Sequence, residues 1–417
     1  MSNSKRLLSM LLFALSVVAI PLHARATDSA DDGLHFYVDA DFGMTGKTAA
    51  AIMLGLETAL GEVDWRIAGR QVFLLPNDHR GSPKRSKQTM ETFLHDPNAL
   101  AVIGGKQSPP YLSYGAFINA SEIPLLLPWS AAGPVTRLAE GSGNWIFRLS
   151  VDDSKAGPFL VSVAMRAGCD RIALLLLDTG WGRANKQSML AAFEAHGKQP
   201  ALLKMFDTEL GPYAARSIAR DIVESQADCT LLVSNPNSGV HLVTALYEAK
   251  PTLQVISHWG ILGSQFARQV RHEMRQSLSL RVLQTCGLEA EIANSEELNG
   301  ALESLRRSGH KVNRLSDIPS SAGFVHGYDL AKILIAASEQ AARSEAWKGT
   351  SASRRAALKQ ALEHLEEPVR GILRLYRTPF RPFSREDTDA HEALGLSDLC
   401  LAGFREDGSL KAIRHKE

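Results

Sequence analysis

The segment that most invites a chemical reading is Gly43-Met-Thr-Gly46-Lys47-Thr48, which falls between a strand-like run and a helical one. A phosphate-cradling loop of the GxxxxGK[ST] type needs its first glycine at position 41, and the chain has Asp41 there. A carboxylate at that point repels a phosphate, so nucleotide binding is not expected, and Lys47 is left as positive charge at a cleft edge. No GxSxG elbow and no HExxH pair occurs in the chain. His391-Glu392 falls in a polar tail and lacks the second histidine of a zinc site. Cys169, Cys229, Cys286 and Cys400 show no CxxC or Cys/His metal spacing. They allow three complete disulfide pairings in an oxidising compartment, or four buried thiols. Neither a nucleophile–base set nor a metal set is present, so the residues imply binding without turnover and call for no cofactor.

Any binding residues must be positioned by an alternating chain. Residues 34–39, 71–76, 100–104 and 124–128 are short apolar, strand-like runs, separated by helical periodicity at 49–60, 83–95 and from Pro110 onward. A second series has strand-like runs at 171–177, 201–206, 229–233 and 254–257, with helices at 184–196, 213–226 and 239–249. The run at 171–177 reads RIALLLL, which suits a strand buried on both faces. Residues 146–149 and 281–285 are candidate crossing strands between the two series. Helices return at 296–309, 323–342 and 353–364, and a strand-like tail covers 376–383 and 399–405, with an Asp407-Gly408 turn. Short apolar strands alternating with amphipathic helices predict an α/β fold of two doubly wound parallel-sheet lobes joined by a multi-strand hinge. The expected lobes are 33–148 with 283–370, and 149–282 with 371–417.

The amino terminus is a separate object. Lys5 and Arg6 precede an apolar run over 7–20, and Ala24-Arg25-Ala26 supplies the small-x-small pattern of a cleavage site. Residues 1–26 are expected to be a signal peptide cut after Ala26, which places the mature chain in the periplasm. The 417 residues carry a net charge of +1, and loss of Lys5, Arg6 and Arg25 leaves −2. That balance offers no basic field for nucleic acid.

Over residues 33–270 the chain resembles the branched-chain amino-acid-binding protein family, the periplasmic components of ABC importers. The resemblance rests on Asp39-Ala-Asp-Phe-Gly43, Gly55-Leu-Glu57, Asn77-Asp78 and Ser82-Pro83. It continues through Val102-Ile-Gly-Gly105 with Ser108, Ile123-Pro-Leu-Leu-Leu-Pro128, Phe147-Arg148 before Gly157, and Asp178-Thr-Gly-Trp-Gly182. It implies a type I periplasmic binding fold, a ligand clamped between the lobes, an inner-membrane permease as partner, and a monomer. Ser108, at a helix start, matches the serine that holds a ligand carboxylate, and free N–H groups there favour an anion. The alternative for Ser108 is a simple N-cap ahead of Pro109-Pro110. Ser130 and the backbone of Ala131 and Ala132 match the next binding loop, Thr48 a pocket edge, Trp181 the ring that closes over the ligand, and Asn235 the second-lobe lining.

One departure bears on the ligand. Amino-acid binders of this family set an acid on the second lobe against the ligand ammonium, and the matching segment, Ser257-His-Trp-Gly260, has Trp259 there. An unpaired buried ammonium is costly, so the free α-amino acid is in question. Trp129, Trp181 and Trp259 predict an aromatic-walled pocket for a small carboxylate-bearing ligand, an amino acid or an aromatic or apolar acid, or for a cation held by the ring faces. His258 either donates to the ligand or bonds within its own lobe. The resemblance implies capture for import. The same fold also serves as a ligand-sensing subunit for a membrane sensor kinase or cyclase.

Overall fold

The computed structural model describes residues 33–43, 46–137, 143–262, 266–288 and 295–413. The expected signal peptide, 1–26, lies outside the described residues. The first series runs β1 (Leu34–Ala40), α1 (Gly46–Gly61), β2 (Arg66–Ile67), β3 (Arg70–Asp78), α2 (Pro83–His95), β4 (Ala99–Gly104), α3 (Pro109–Ala120), β5 (Leu125–Leu127) and β6 (Ile146–Arg148). The second runs α4 (Asp153–Arg166), β7 (Ile172–Leu177), α5 (Gly180–Ala195), β8 (Leu202–Phe206), α6 (Pro212–Glu224), β9 (Cys229–Val233), α7 (Pro236–Ala249), β10 (Gln254–Ser257), α8 (Phe266–Gln269), α9 (His272–Ser277) and β11 (Arg281–Thr285). Then come α10 (Glu296–Arg307), α11 (Ser321–Ala342), α12 (Ser351–Glu363), β12 (Val369–Arg370), β13 (Leu375–Tyr376), β14 (Leu399–Phe404) and β15 (Leu410–Ala412).

The strands form two main sheets. The first has the order β2-β3-β1-β4-β5-β6 and the second β15-β14-β11-β10-β9-β7-β8. Neighbours run parallel except in the β2–β3 hairpin and where β14 meets β11 and β15. Each sheet starts in its interior and grows in both directions, from β1 to β3 and β4, and from β7 to β8 and β9. A crevice opens beyond the carboxyl ends of two strands wherever strand order reverses in this way. The fold therefore puts the loops after β1 and β4, and those after β7 and β9, at natural binding positions.

Helices complete the layers. α1 and α11 cross almost backbone to backbone at two glycines. A Cβ on Gly55 would lie 2.3 Å from the Phe324 carbonyl oxygen, and one on Gly327 would lie 2.4 Å from that of Ile52. A buried apolar cluster runs continuously from Phe36 and Ile103 of the first sheet to Leu174 and Leu231 of the second.

Both candidate crossing strands prove to be sheet members. β6 is the edge strand of the first sheet, and the chain crosses after it. β11 lies between β10 and β14 inside the second sheet, so the lobe boundary expected at 283 falls within it. Residues 371–376 are held to α11, where Asp329 accepts from the N–H groups of Ile372 at 2.6 Å and Leu373 at 3.0 Å and from the Tyr376 hydroxyl at 2.8 Å. The tail expected as a strand over 376–383 stops at Tyr376, because Pro379 and Pro382 remove the donors a ladder needs. The cysteines pair as Cys169–Cys229 and Cys286–Cys400, at Cα separations of 5.7 and 5.0 Å. On the chain-entropy view, each of these long closures stabilises the fold by about 4 kcal/mol.

The crossings are stitched by buried charge. The Arg148 guanidinium is fully buried and donates to Glu392 Oε2 at 2.8 Å and Oε1 at 2.6 Å. It also lies 3.4 Å from Asp152 Oδ2. The Arg148 N–H donates to the His391 carbonyl, and the Ala393 N–H donates to that of Arg148, both at 2.9 Å. His391 and Glu392, read from sequence as part of a polar tail, are thus buried. The His391 ring stacks on Phe147 at 3.9 Å and reaches Glu363 at 3.0 Å. Burial opposes ionisation of Asp152, but the Arg148 and Arg137 guanidinium groups prevail and hold its carboxyl well below the usual range.

Arg148→Met leaves Asp152 and Glu392 buried beside no guanidinium of residue 148. The expected loss is about 3–5 kcal/mol in urea unfolding followed by circular dichroism, and a loss under about 1 kcal/mol contradicts the assignment. Because the folded-state pKa of Asp152 is depressed, its contribution is full above about pH 4 and drains away as pH falls further. The wild-type unfolding midpoint should fall with acid more steeply than that of Asp152→Asn.

Candidate ligand cleft between the lobes

The first-lobe wall is built at the end of β4. Gly104 and Gly105 let the chain turn tightly there, since a Cβ on Gly105 would meet the Ala40 Cβ at 3.0 Å. The loop is laced to its neighbours from beneath. The Gly105 N–H donates to the Tyr111 hydroxyl at 3.0 Å, which donates to the Asp39 carbonyl at 2.6 Å. The Ser130 hydroxyl lies within hydrogen-bond reach of two carbonyls, Gly105 at 2.9 Å and Gln107 at 3.0 Å. The Ser108 hydroxyl accepts from the Ala132 N–H at 3.1 Å and makes no cap bond to its own helix. Ser108 and Ser130–Ala132 are therefore brought together. The Arg148 guanidinium reaches the same loop, donating to the Ala132 carbonyl at 2.8 Å and the Ser130 carbonyl at 3.3 Å.

The helix start at Ser108 offers fewer donors than the sequence reading assumed. Pro109 and Pro110 have no N–H, and those of Tyr111 and Leu112 turn back to the Ser108 carbonyl. The main-chain N–H groups of Gln107, Ser108, Ser130 and Ala131 find no acceptor among the described residues. Trp129 is buried, and its Nε1 also lacks a partner. Thr48 borders this ring: a Cβ on Gly323 would lie 3.2 Å from the Thr48 carbonyl oxygen and 3.3 Å from Trp129 Cζ3.

The second-lobe wall gathers at the start of α4. The Asp153 N–H donates to the Ala131 carbonyl at 2.7 Å, which joins the two walls. Its Oδ1 lies 2.6 Å from His258 Nε2, while its Oδ2 and His258 Nδ1 are buried without a partner. Burial pushes the Asp153 carboxyl up, and the His258 imidazole beside it opposes the shift. His258 is boxed edge-on by Trp181 at 5.1 Å and Trp259 at 4.8 Å. Gly260 makes room for the box, since a Cβ there would lie 2.4 Å from Trp181 Cη2. Trp181 stands in the first turn of α5, capped by the Thr179 hydroxyl. The Asn235 side chain caps α7 through the Ser238 N–H at 2.8 Å and donates to the Thr208 carbonyl at 2.9 Å.

Two residues escaped the sequence reading. Asp153 supplies a second-lobe acid that the segment 257–260 lacks. Its only signal was a second acid beside the helix-capping Asp152. Lys106, between Gly105 and Gln107, places its Nζ 5.4 Å above the Trp129 ring. A single cation just past the end of β4 was the legible sign.

Among the described residues, polar atoms without a partner stand on both sides of the Asp153–Ala131 contact. The periplasmic binding protein family profile matches residues 38–274, and the chain belongs to that family. Its fold is that of the type I periplasmic binding proteins, and it resembles a type 1 periplasmic binding protein from Bordetella pertussis Tohama I. That structure aligns at TM-score 0.72 with 14% identity, over 92% of this chain and 100% of that one. A solute-binding protein of an ABC transporter from Rhodopseudomonas palustris HaA2, solved with p-hydroxybenzoic acid, aligns at TM-score 0.71 with 15% identity, over 92% and 96%. A leucine-binding protein from Thermotoga maritima aligns at 0.69 with 14% identity, over 91% and 98%. No curated protein matches the sequence. Among the described residues no helix is long and apolar enough to cross a membrane.

Ser130→Ala removes the hydroxyl shared by the Gly105 and Gln107 carbonyls. Stability should fall by about 1 kcal/mol in denaturant unfolding, and an unchanged midpoint contradicts the lacing.

Proposed function

We propose that the chain is the solute-binding component of an ABC importer of the branched-chain amino acid type. It captures a small carboxylate-bearing molecule between two closing lobes and does no chemistry on it. The observation that carries this reading is the Asp153–Ala131 contact, where the two walls meet with unpartnered donors on one side and an unpartnered carboxylate oxygen on the other. Three crossings, after β6, after β11 and between β13 and β14, provide the hinge. Closure is driven by contacts that exist only when both walls touch the ligand.

The ligand chemistry follows from the walls. Trp181 and Trp259 flank an Asp153–His258 pair whose free oxygen accepts from a hydroxyl or an ammonium, and the Trp129 wall offers donors. An amino acid and a hydroxylated aromatic acid both present a carboxylate at one end and a donor at the other. Asp153 removes the objection that an α-ammonium has no counter-charge. The structural relatives solved with p-hydroxybenzoic acid and named for leucine fall in these two classes. The protein works in the periplasm after cleavage at Ala26, as a monomer, and delivers its ligand to an inner-membrane permease.

Benzoate, 4-hydroxybenzoate and L-leucine are the probes for titration calorimetry. At least one should bind, and Trp181→Ala should weaken it by about tenfold or more through loss of the ring that closes the site. Ser108→Ala should weaken it by a smaller factor, by loosening the Ala131–Ala132 loop. Unchanged affinity in both variants removes the cleft from consideration.

A further inference from the structure

Lys106 is a cation at the candidate cleft with no acidic partner among the described residues. Lys106 follows the Gly104-Gly105 turn at the end of β4, at the reversal point of the first sheet. The side chains that follow it are committed: Gln107 donates to Asp41 Oδ2 at 2.8 Å, and Ser108 accepts from Ala132. The Lys106 ammonium has no hydrogen bond or ion pair among the described residues and rests over the Trp129 ring. The indole Nε1 of that same ring is a buried donor without an acceptor. Other cations near the cleft are matched by acids, as Arg148 is by Glu392 and Arg137 by Asp152. The loop beside them, at Ser130 and Ala131, adds main-chain donors with no acceptor.

An ammonium over the face of an indole whose own N–H has no acceptor puts two groups that favour an anion around one side chain. The helix start at Ser108 does not replace them, because two prolines remove its first donors. We infer that Lys106, with the Trp129 N–H, is the anchor that holds the ligand's carboxylate and restricts the cleft to anionic or zwitterionic molecules. The inference rests on the reading of the protein as a capturer of carboxylates and names the residue that selects them. Burial pushes the Lys106 ammonium down to about 8, so the free site discharges in mildly alkaline solution. A bound carboxylate holds the proton on, so affinity is full below that pH and falls as pH rises through it. The other titratable groups around the locus are Asp41, His326 edge-on to the same indole, and the Asp153–His258 pair across the cleft. Burial lowers His326 to about 3, which keeps it neutral in this window.

The test uses the mature chain from the periplasm, as wild type, Lys106→Met and Lys106→Arg, with affinity read by tryptophan fluorescence. The probes are benzoate, 4-hydroxybenzoate, L-leucine and any acid that co-purifies, identified by native mass spectrometry; benzamide is the neutral counterpart. For each probe that binds wild type, Lys106→Met should lose about tenfold or more, and Lys106→Arg should stay within about threefold. Benzamide should not distinguish wild type from Lys106→Met. Between pH 7.5 and 9.5 the wild-type affinity should fall about tenfold, while the arginine variant stays flat, since its guanidinium does not titrate there. Melting temperatures check folding, and loss of a lone buried charge should leave the methionine variant intact. A probe that binds wild type and Lys106→Met equally, or a wild-type pH profile matching that of Lys106→Arg, overturns the anchor and leaves capture standing. No binding by any probe and no co-purifying acid overturns the capture of carboxylates itself, and the anchor with it.

Discussion

A guanidinium buried where the chain changes lobes is the constraint on which the rest of this structure depends. Arg148 ends the last strand of the first sheet and is wholly removed from water. A charge in that position is tolerable only when its hydrogen-bonding capacity is met, and the guanidinium fork meets it in several directions at once. Glu392 takes one face, Asp152 stands by, and the Ser130 and Ala132 carbonyls and the Thr136 hydroxyl accept the other N–H bonds. Those partners come from three separate stretches of chain. One side chain thereby ties the first crossing to the third and to the loop at 130–136.

That geometry explains why the cleft is built from loops yet is well ordered. The loop at 130–132 is held from behind by Arg148, from the side by Ser108, and from across the cleft by the Asp153 N–H. Its serine hydroxyl serves the neighbouring loop and not the opening. Among the described residues, the polar groups without a partner there include Trp129 Nε1, Asp153 Oδ2, His258 Nδ1 and the Lys106 ammonium, together with main-chain N–H groups. The free atoms divide by chemistry: the first-lobe wall presents donors and the second-lobe wall includes an acceptor. A ligand that satisfies both sides adds contacts only in the closed arrangement, which is what a capture protein needs. The tryptophans lend area and exclude water, and so raise the worth of each polar contact inside.

The fold was legible because its signals are local. Continuous apolar runs such as 172–177 have no option but a strand buried on both faces, and the helical stretches between them set the parallel order. The two-lobe alternation, the helix at Pro83–His95, and the strands at Cys229–Val233 and Gln254–Ser257 all follow from spacing alone. The strand-like reading of 376–383 ended early because two prolines weigh more than hydrophobicity in a ladder. The burial of His391-Glu392 was invisible for a different reason. Nothing near position 391 in sequence announces Arg148, which lies more than two hundred residues earlier.

The same division applies to the cleft itself. Ser108, the 129–132 segment, Trp181 and His258 all follow strand ends, and that much was legible in the sequence alone. The lack of a GxSxG elbow and of an HExxH pair is likewise a fact of the sequence alone. Only the tertiary structure decided what each side chain is free to do. Ser130 and Asn235 turned to backbone partners, Trp181 moved into a helix, and Asp153 came forward as the acid of the second wall. The physical reason is that hydrogen-bond commitment is a property of neighbours in space. A residue's type says which bonds it can make, and the fold decides which of them are still unmade when a ligand arrives.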